Sequence, residues 1–448
     1  MSDEERLPIP LEPMSSDEYA PLPLSPIVVE ARKRAWEKAT ENARRLAMPR
    51  RDFLRTAMGA ATVLVTLNAC NREAAKSQGR SPGGTFGVPK EADLDESAAN
   101  SVLDSDLPVL DAQTHFLEYD LTQPVPATFF GDAFPHVNCG LKDHRSCFSI
   151  ENYVQSMFTQ SETALAVISA IAAPGPHDGE LSIDFMGRAR ARVHDVVGGD
   201  RILLHGLLAP STKALSAVFD EMENIVTNFG VVGWKAYTNN GRAWRLDDGN
   251  RDDPQVGLAS LQKILDLNVP RVCIHKGISG GDDALSPADV GPAARQFPEI
   301  RFGVYHSGWE PGTTEGPYTE ETKDIGVNRL ITSLHTAGVK KHGNVYAEIG
   351  STWFNVMNSP DEAAHVLGKL INAVGDDRVL WGTDSIWFGS PQQMIDTFRT
   401  FRISNEFQEK FGYPELTPKI KGKILARNVA HFYDLDLTKI QKRARPGP

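Results

Sequence analysis

Three histidines and one aspartate each stand at the end of a separate apolar, β-prone run. The runs end Asp111-Ala112-Gln113-Thr114-His115, Cys273-Ile274-His275-Lys276-Gly277, Val304-Tyr305-His306-Ser307-Gly308 and Trp381-Gly382-Thr383-Asp384-Ser385. The whole chain holds only twelve His, so three at such positions is a concentration. A single His there more often makes a structural hydrogen bond. Four His and Asp positions on four runs point instead to a shared site. Imidazole nitrogens with one carboxylate suit Zn²⁺ or a similar divalent ion that keeps one position open for water. Such an ion lowers the pKa of that water towards ~7 and supplies a nucleophile at neutral pH.

Something must bring these positions together. From residue 107 onward, short apolar runs alternate with stretches of helical period. The strand candidates are 108–112, 165–170, 201–208, 231–237, 271–275, 300–305, 344–348 and 378–382. Helical patterns lie at 182–197, 212–229, 256–267, 319–336 and 361–374, with caps expected from Ser211, Asp253-Pro254 and Ser359-Pro360. Eight apolar strands, most followed by a helix, predict an α/β protein with a (β/α)8 TIM barrel, whose chemistry sits at the carboxyl ends of the strands. A doubly wound sheet lacks support, because no strand runs into a glycine-rich phosphate turn.

The sequence resembles the amidohydrolase-related proteins of the metal-dependent hydrolase superfamily, the branch that includes aminocarboxymuconate-semialdehyde decarboxylase. The resemblance spans roughly 107–436 and is carried by Val379-Leu380-Trp381-Gly382-Thr383-Asp384-Ser385, Val304-Tyr305-His306-Ser307-Gly308 and Asn428-Val429-Ala430-His431-Phe432-Tyr433. It implies that His115 is the second member of a His-x-His pair and that His275 is a metal ligand. It makes His306 the general acid/base or an additional ligand. Asp384 binds the metal and takes a proton from water. Gln113 departs from the pattern by standing where the first His belongs. An amide oxygen is a weaker donor than imidazole, so affinity should fall or the preferred ion become harder; Zn²⁺ is the first choice, with Mn²⁺, Mg²⁺ or no metal at all as alternatives.

Other residues read as pocket. Lys235 ends the fourth strand and suits an anionic substrate, or is a plain strand-end lysine. Tyr237, Arg242, Trp244 and Arg245 form a basic, aromatic loop able to grip a carboxylate and a ring, or an ordinary surface loop. Trp309 and Trp353 read as pocket wall, Glu348 as support for a ligand His or a barrel cap, and His205 as core. His136, Cys139, His144 and Cys147 crowd one loop. The Cys-x7-Cys spacing matches no common zinc pattern, so a Cys139–Cys147 disulfide is the first choice. Cys273 reads as a buried thiol.

The first hundred residues read as address and tether. Residues 1–48 are expected to be an extension, disordered over 1–30, which carry six prolines, with a short charged stretch of helical character over 30–45. Residues 49–70 contain Arg50-Arg51-Asp52-Phe53-Leu54 and an uncharged apolar run over 57–69, too short to span ~30 Å of bilayer. This resembles a twin-arginine export signal, which implies the export machinery as a partner and a periplasmic or cell-envelope location. Leu67-Asn68-Ala69-Cys70 resembles a lipoprotein box, with Cys70 as lipidation candidate and Asn68 where a small residue is usual. Residues 71–106 read as a flexible tether and 437–448 as a tail.

Composition narrows the partners. With 47 Lys+Arg against 58 Asp+Glu the net charge is −11, which argues against nucleic acid. A homodimer is the default for oligomeric state. The combined expectation is a metal-dependent hydrolase of a small, anionic or aromatic amide, ester or lactone. Its rivals are a carboxy-lyase of the same family, a metal-free lactonase, and a non-catalytic periplasmic binding protein.

Overall fold

A computed structural model describes residues 6–16, 18–124, 139 and 141–446. Eight parallel strands form one sheet in sequential order: β1 (Val109–Thr114), β2 (Thr163–Ile168), β3 (Ile202–Leu208), β4 (Gly233–Tyr237), β5 (Arg271–His275), β6 (Arg301–Tyr305), β7 (Val345–Glu348) and β8 (Val379–Leu380). The eight apolar runs coincide with these strands, because a strand covered on both faces needs apolar residues throughout. The sheet closes on itself. Ala112 N–H donates to the Trp381 carbonyl (2.9 Å), Asp384 N–H to the Gln113 carbonyl (2.9 Å), and Thr114 bridges Ser385 in parallel. The fold is a (β/α)8 barrel with helices outside.

Inside the barrel, Leu110, Leu165, Val167, Tyr305 and Tyr346 pack on Val429, Phe432 and Tyr433 of the closing segment. That segment stoppers one end, leaving the carboxyl ends of the strands as the open face. Outside, helices such as Ile183–Val197 and Pro360–Val374 bury their apolar stripes against the strands. Some caps differ from expectation. The first N–H groups of the helix Gly257–Asp266 donate to the Asp248 carboxylate (2.9 and 3.1 Å), not to Asp253. The helix after β3 starts at Leu215, because the Ser211 hydroxyl is spent on the Asn240 and Arg242 carbonyls. In 319–336 only the last part is helical, Asn328–Ala337, since Gly326 takes φ +52° and breaks the run.

The N-terminal hundred residues differ most from the sequence expectation. They are built as a layer of helices: α1 (Pro26–Arg45), α2 (Arg50–Arg55), α3 (Ala57–Ser77) and α4 (Glu96–Leu103). Ala60, Val63, Leu64 and Leu67 of α3 are fully buried. In α1, Asn42 donates to Thr62 Oγ1 (3.2 Å) and to the Asp93 carbonyl (3.1 Å). Asn68 clasps Phe86, donating to its carbonyl (2.7 Å) and accepting its N–H (2.8 Å), while Thr85 Oγ1 donates to the same side chain (2.8 Å). The short strand Gly84–Phe86 pairs antiparallel with Phe401–Ile403 and so fastens this layer to the barrel. The helix at 26–45 contains the stretch of helical character read at 30–45, and 71–106 hold helix and strand where a tether was expected. The physical reason is that an apolar run without charge can end in a protein core as well as in a leader. Among the described residues no helix is long and apolar enough to cross a membrane.

Candidate active site

At the open end of the barrel, residues from β1, β5, β6, β7 and β8 meet. On the β1/β8 side His115 and Asp384 face one another, Nε2 to Oδ1 at 3.2 Å, both about 2% exposed. His115 Nδ1 is 2.7 Å from the Ser169 carbonyl, which can only accept, so the proton lies on Nδ1. The ring Nε2 then faces a carboxylate, which is favourable only with a second proton on the ring or a cation shared by both. Asp384 also accepts from Ser351 Oγ and from Gln113 Nε2 (2.8 Å). Burial works against its charge, but the bonds from His115 and Ser351 and the nearby imidazoles hold its carboxyl below the usual carboxylate range. Trp387 stacks beside His115, ring centroids 6.0 Å apart.

Gln113 uses its amide hydrogens on Asp384, and its Oε1 is buried without a hydrogen-bond partner. A Cβ placed on Gly350 would lie 2.9 Å from that oxygen, so the amide oxygen points towards β7.

On the β5/β6 side, His275 and His306 meet edge to face at 4.7 Å. His306 Nδ1 is held by the Gly350 carbonyl (2.9 Å), leaving Nε2 as a lone pair. His306 Nε2 and His275 Nδ1 are both buried without a hydrogen-bond partner among the described residues. Burial pushes the His306 imidazole down to about 4 and His275 well below its ordinary value, so both are neutral at pH 7. Tyr237 stacks on His275 at 5.0 Å.

The frame around these groups is polar, and each buried carboxyl in it is tied down. Glu348 accepts the backbone N–H of His306 (3.1 Å) and of Gly350, and burial raises its carboxyl well above the usual range. A Cβ on Gly382 would lie 2.0 Å from Glu348 Oε1, so the β8 backbone must be bare there. Asp111 accepts the N–H of Gln113 (3.1 Å) and of Thr383 (3.1 Å), clamping β1 to β8, and burial raises it to about 7. His306, Ser307, Ser351 and Asp384 all take positive φ, between +51° and +64°. Non-glycine residues held this way cost ~1–3 kcal/mol each and gather where function requires them.

Lys235 stands among these groups, fully buried, its Nζ without a hydrogen-bond partner among the described residues. It lies over the rings of Tyr305 (4.0 Å) and Tyr237 (4.5 Å), and burial lowers its ammonium to about 8.

The remaining sequence candidates separate clearly. Trp309 is buried at the mouth, edge-on to Tyr19 at 5.9 Å. Trp353 turns into the helical layer, its Nε1 donating to the Met394 carbonyl (3.2 Å) and to Thr397 Oγ1 (3.1 Å), and does not wall the site. Arg242 is exposed on its loop. His205 is core, between Ser169 Oγ (2.9 Å) and Tyr433 OH (2.8 Å). Cys139 and Cys147 form a disulfide, Cα atoms 5.6 Å apart, while His136 lies outside the described residues. Cys70 and Cys273 are buried free thiols.

Sequence reasoning missed Glu18, Tyr19, Ser351 and Asn355. Glu18 Oε1 is 3.6 Å from His275 Nδ1, and Asn355 Nδ2 donates to the Tyr19 hydroxyl (2.7 Å). Ser351 and Asn355 follow the β7 run by a few residues, where a strand-end search could have reached them. Glu18 and Tyr19 carry no local signal.

A family model described as Amidohydrolase matches residues 170–435, more than half of the chain. The chain belongs to this amidohydrolase family. The matched span holds Lys235, His275, His306 and Asp384 and begins after Gln113 and His115. No curated protein matches the chain. Among solved structures it is similar to a 5-carboxyvanillate decarboxylase of Novosphingobium aromaticivorans with bound manganese, at 13% identity over 74% of this chain and 98% of that one, TM-score 0.47. A 2,6-dihydroxybenzoate decarboxylase from Rhizobium stands at 13%, 73%, 99% and 0.42. A protein of Pseudomonas putida assigned as a 2-pyrone-4,6-dicarboxylic acid hydrolase stands at 14%, 74%, 98% and 0.42. Substrate and reaction do not transfer at such identities. The amidohydrolase family does comprise enzymes, mostly metal-dependent. The residues here fit a divalent ion, because two buried imidazoles each present a nitrogen that has no hydrogen-bond partner among the described residues, and a carboxylate faces a third.

Proposed function

We propose that this amidohydrolase is a metal-dependent hydrolase of a small organic molecule that carries a carboxylate, cleaving an amide, ester or lactone. The observation that carries the reading is Lys235. A fully buried ammonium with no hydrogen-bond partner is costly unless an anion completes it. Its Nζ lies over the faces of Tyr237 and Tyr305, which favour the charged form.

His275 Nδ1 and His306 Nε2 are the atoms that would hold the ion, His306 acting as a ligand. When bound, the ion supplies positive charge that polarises a carbonyl and makes water more acidic. Asp384 accepts a proton from the water, and His115 Nε2 beside it returns one to the leaving group. Gln113 and Ser351 keep the Asp384 carboxylate in one orientation. Lys235 fixes the substrate carboxylate, while Trp309 and Tyr237 exclude water from the mouth.

The test is turnover of a panel of carboxylate-bearing esters, amides and lactones by protein purified without chelators. Activity lost on chelation and restored by Zn²⁺ or Mn²⁺ is expected. Turnover untouched by chelation would favour a metal-free lactonase. Tight binding without turnover would favour a binding protein.

A further inference from the structure

The segment before α1 reaches into the site. Ile9 and Leu11 are buried, the Pro10 carbonyl accepts from Asn358 Nδ2 (3.1 Å), and Glu12 pairs with Arg32 of α1 (2.7 Å). Tyr19 follows, 6% exposed, with its ring on Trp309 and its hydroxyl on Asn355. Asn355 also donates to the Ser351 carbonyl (2.8 Å), and Ser351 Oγ donates to Asp384. Anchored on both sides, Glu18 is presented to the two imidazoles. Ligand atoms of Glu18, His275 and His306 all lie within 4.8 Å of one another.

Glu18 Oε1 and His275 Nδ1 are 3.6 Å apart, too far for a hydrogen bond. Two donors bonded to one ion at ~2.0–2.2 Å in a tetrahedral arrangement stand roughly 3.3–3.6 Å apart, which is this spacing. One carboxylate and two imidazoles form a donor set for Zn²⁺, Mn²⁺ or Fe²⁺ that leaves positions open. Gln113 turns its amide hydrogens to Asp384.

We propose that Glu18 is the carboxylate ligand of a divalent cation bound with His275 and His306, so that the N-terminal segment completes the metal site. The inference rests on the metal-dependent reading above and adds the ligand that no barrel strand supplies. It also makes the segment that carries Glu18 part of the metal-bound form.

The experiment measures binding of Mn²⁺ and of Zn²⁺ alone to the full-length chain, by calorimetry and by competition with a chromophoric chelator. Wild type, Glu18→Gln, Glu18→Asp, His275→Ala and His115→Ala are compared, with circular dichroism and metal-free melting as folding controls. The expected result is about one equivalent in wild type, affinity at least tenfold lower in Glu18→Gln, and an intermediate value for Glu18→Asp. Mn²⁺ should also slow proteolysis within residues 6–25 in wild type and not in Glu18→Gln. Unchanged affinity in folded Glu18→Gln, with loss in His275→Ala or His115→Ala, overturns the role of Glu18 and leaves the metal-dependent reading standing. If Glu18→Gln is unfolded, Glu18→Asp decides, and wild-type affinity there together with unprotected proteolysis overturns it. No binding by wild type at millimolar metal overturns both.

Discussion

His115 Nε2 lies 3.2 Å from Asp384 Oδ1 while the other nitrogen of the same ring is committed to the Ser169 carbonyl at 2.7 Å. The ring and the carboxylate are thereby locked face to face, one from each strand that closes the barrel. A pair held this way can carry a proton between two defined atoms.

Asp384→Asn keeps the shape and removes the proton acceptor. We expect kcat to fall by roughly 10²–10⁴, the usual weight of general acid–base catalysis, with the melting temperature little changed. Single-turnover kinetics against circular dichroism checks this. A variant with near wild-type kcat would remove Asp384 from the chemistry.

Lys235 gives a pH dependence. Burial lowers its ammonium to about 8, so below that pH it is charged and attracts an anion, and above it the attraction is lost. Affinity for a competitive aromatic carboxylate should fall as pH rises through the alkaline range, the limb lying above 8 because a bound anion raises the lysine. Lys235→Met should bind the same inhibitor about 10–100-fold more weakly at pH 7, as expected for a charge-assisted hydrogen bond of ~1.5–3 kcal/mol, with a flat profile. Inhibition constants between pH 6 and 10 decide it.

Gln113→Glu places a second carboxylate against Asp384, where the amide now donates at 2.8 Å. Two carboxylates so close cannot both ionise easily, and one is raised strongly. The base is then protonated at higher pH, so the acid limb of kcat/KM should move up by at least one pH unit. An unmoved limb would mean that Asp384 does not set it.

Asn68 tests whether the N-terminal layer belongs to the fold. Its side chain satisfies both backbone groups of Phe86 in a buried setting. Asn68→Leu strands the Phe86 N–H, while the carbonyl still accepts from the Val88 N–H (2.9 Å), at a cost of about 1–3 kcal/mol, read from the urea midpoint. A change below ~0.5 kcal/mol would show that this layer adds nothing to stability.

What the sequence disclosed follows from which forces act locally. Strand position is written in consecutive apolar residues, so all eight barrel strands were legible, and strand ends then named His115, His275, His306 and Asp384. Side-chain direction is not local. Trp353 reads as pocket wall by position, yet its indole hydrogen bonds turn it to Met394 and Thr397. Glu18 and Tyr19 were invisible because only tertiary docking brings a proline-rich segment to the barrel mouth. The run 57–69 reads as a leader and is also a buried helix, because a buried helix and an export signal share one composition. A leader removed at Cys70 would take Glu18 with it, so the mass of the mature chain from its own cell discriminates between the two readings.

The most direct test of the central claim is the fate of oxygen and carbon in turnover. Carboxylate-bearing lactones, esters and aromatic acids, carbon-13 labelled at the carboxylate, would be incubated in ¹⁸O water with metal-loaded wild type and Asp384→Asn. The hydrolase account predicts one solvent oxygen entering the product per turnover, no labelled CO₂, and loss of both product and label in Asp384→Asn. Labelled CO₂ released in step with substrate loss, without solvent oxygen in the organic product, would contradict it and make the protein a carboxy-lyase.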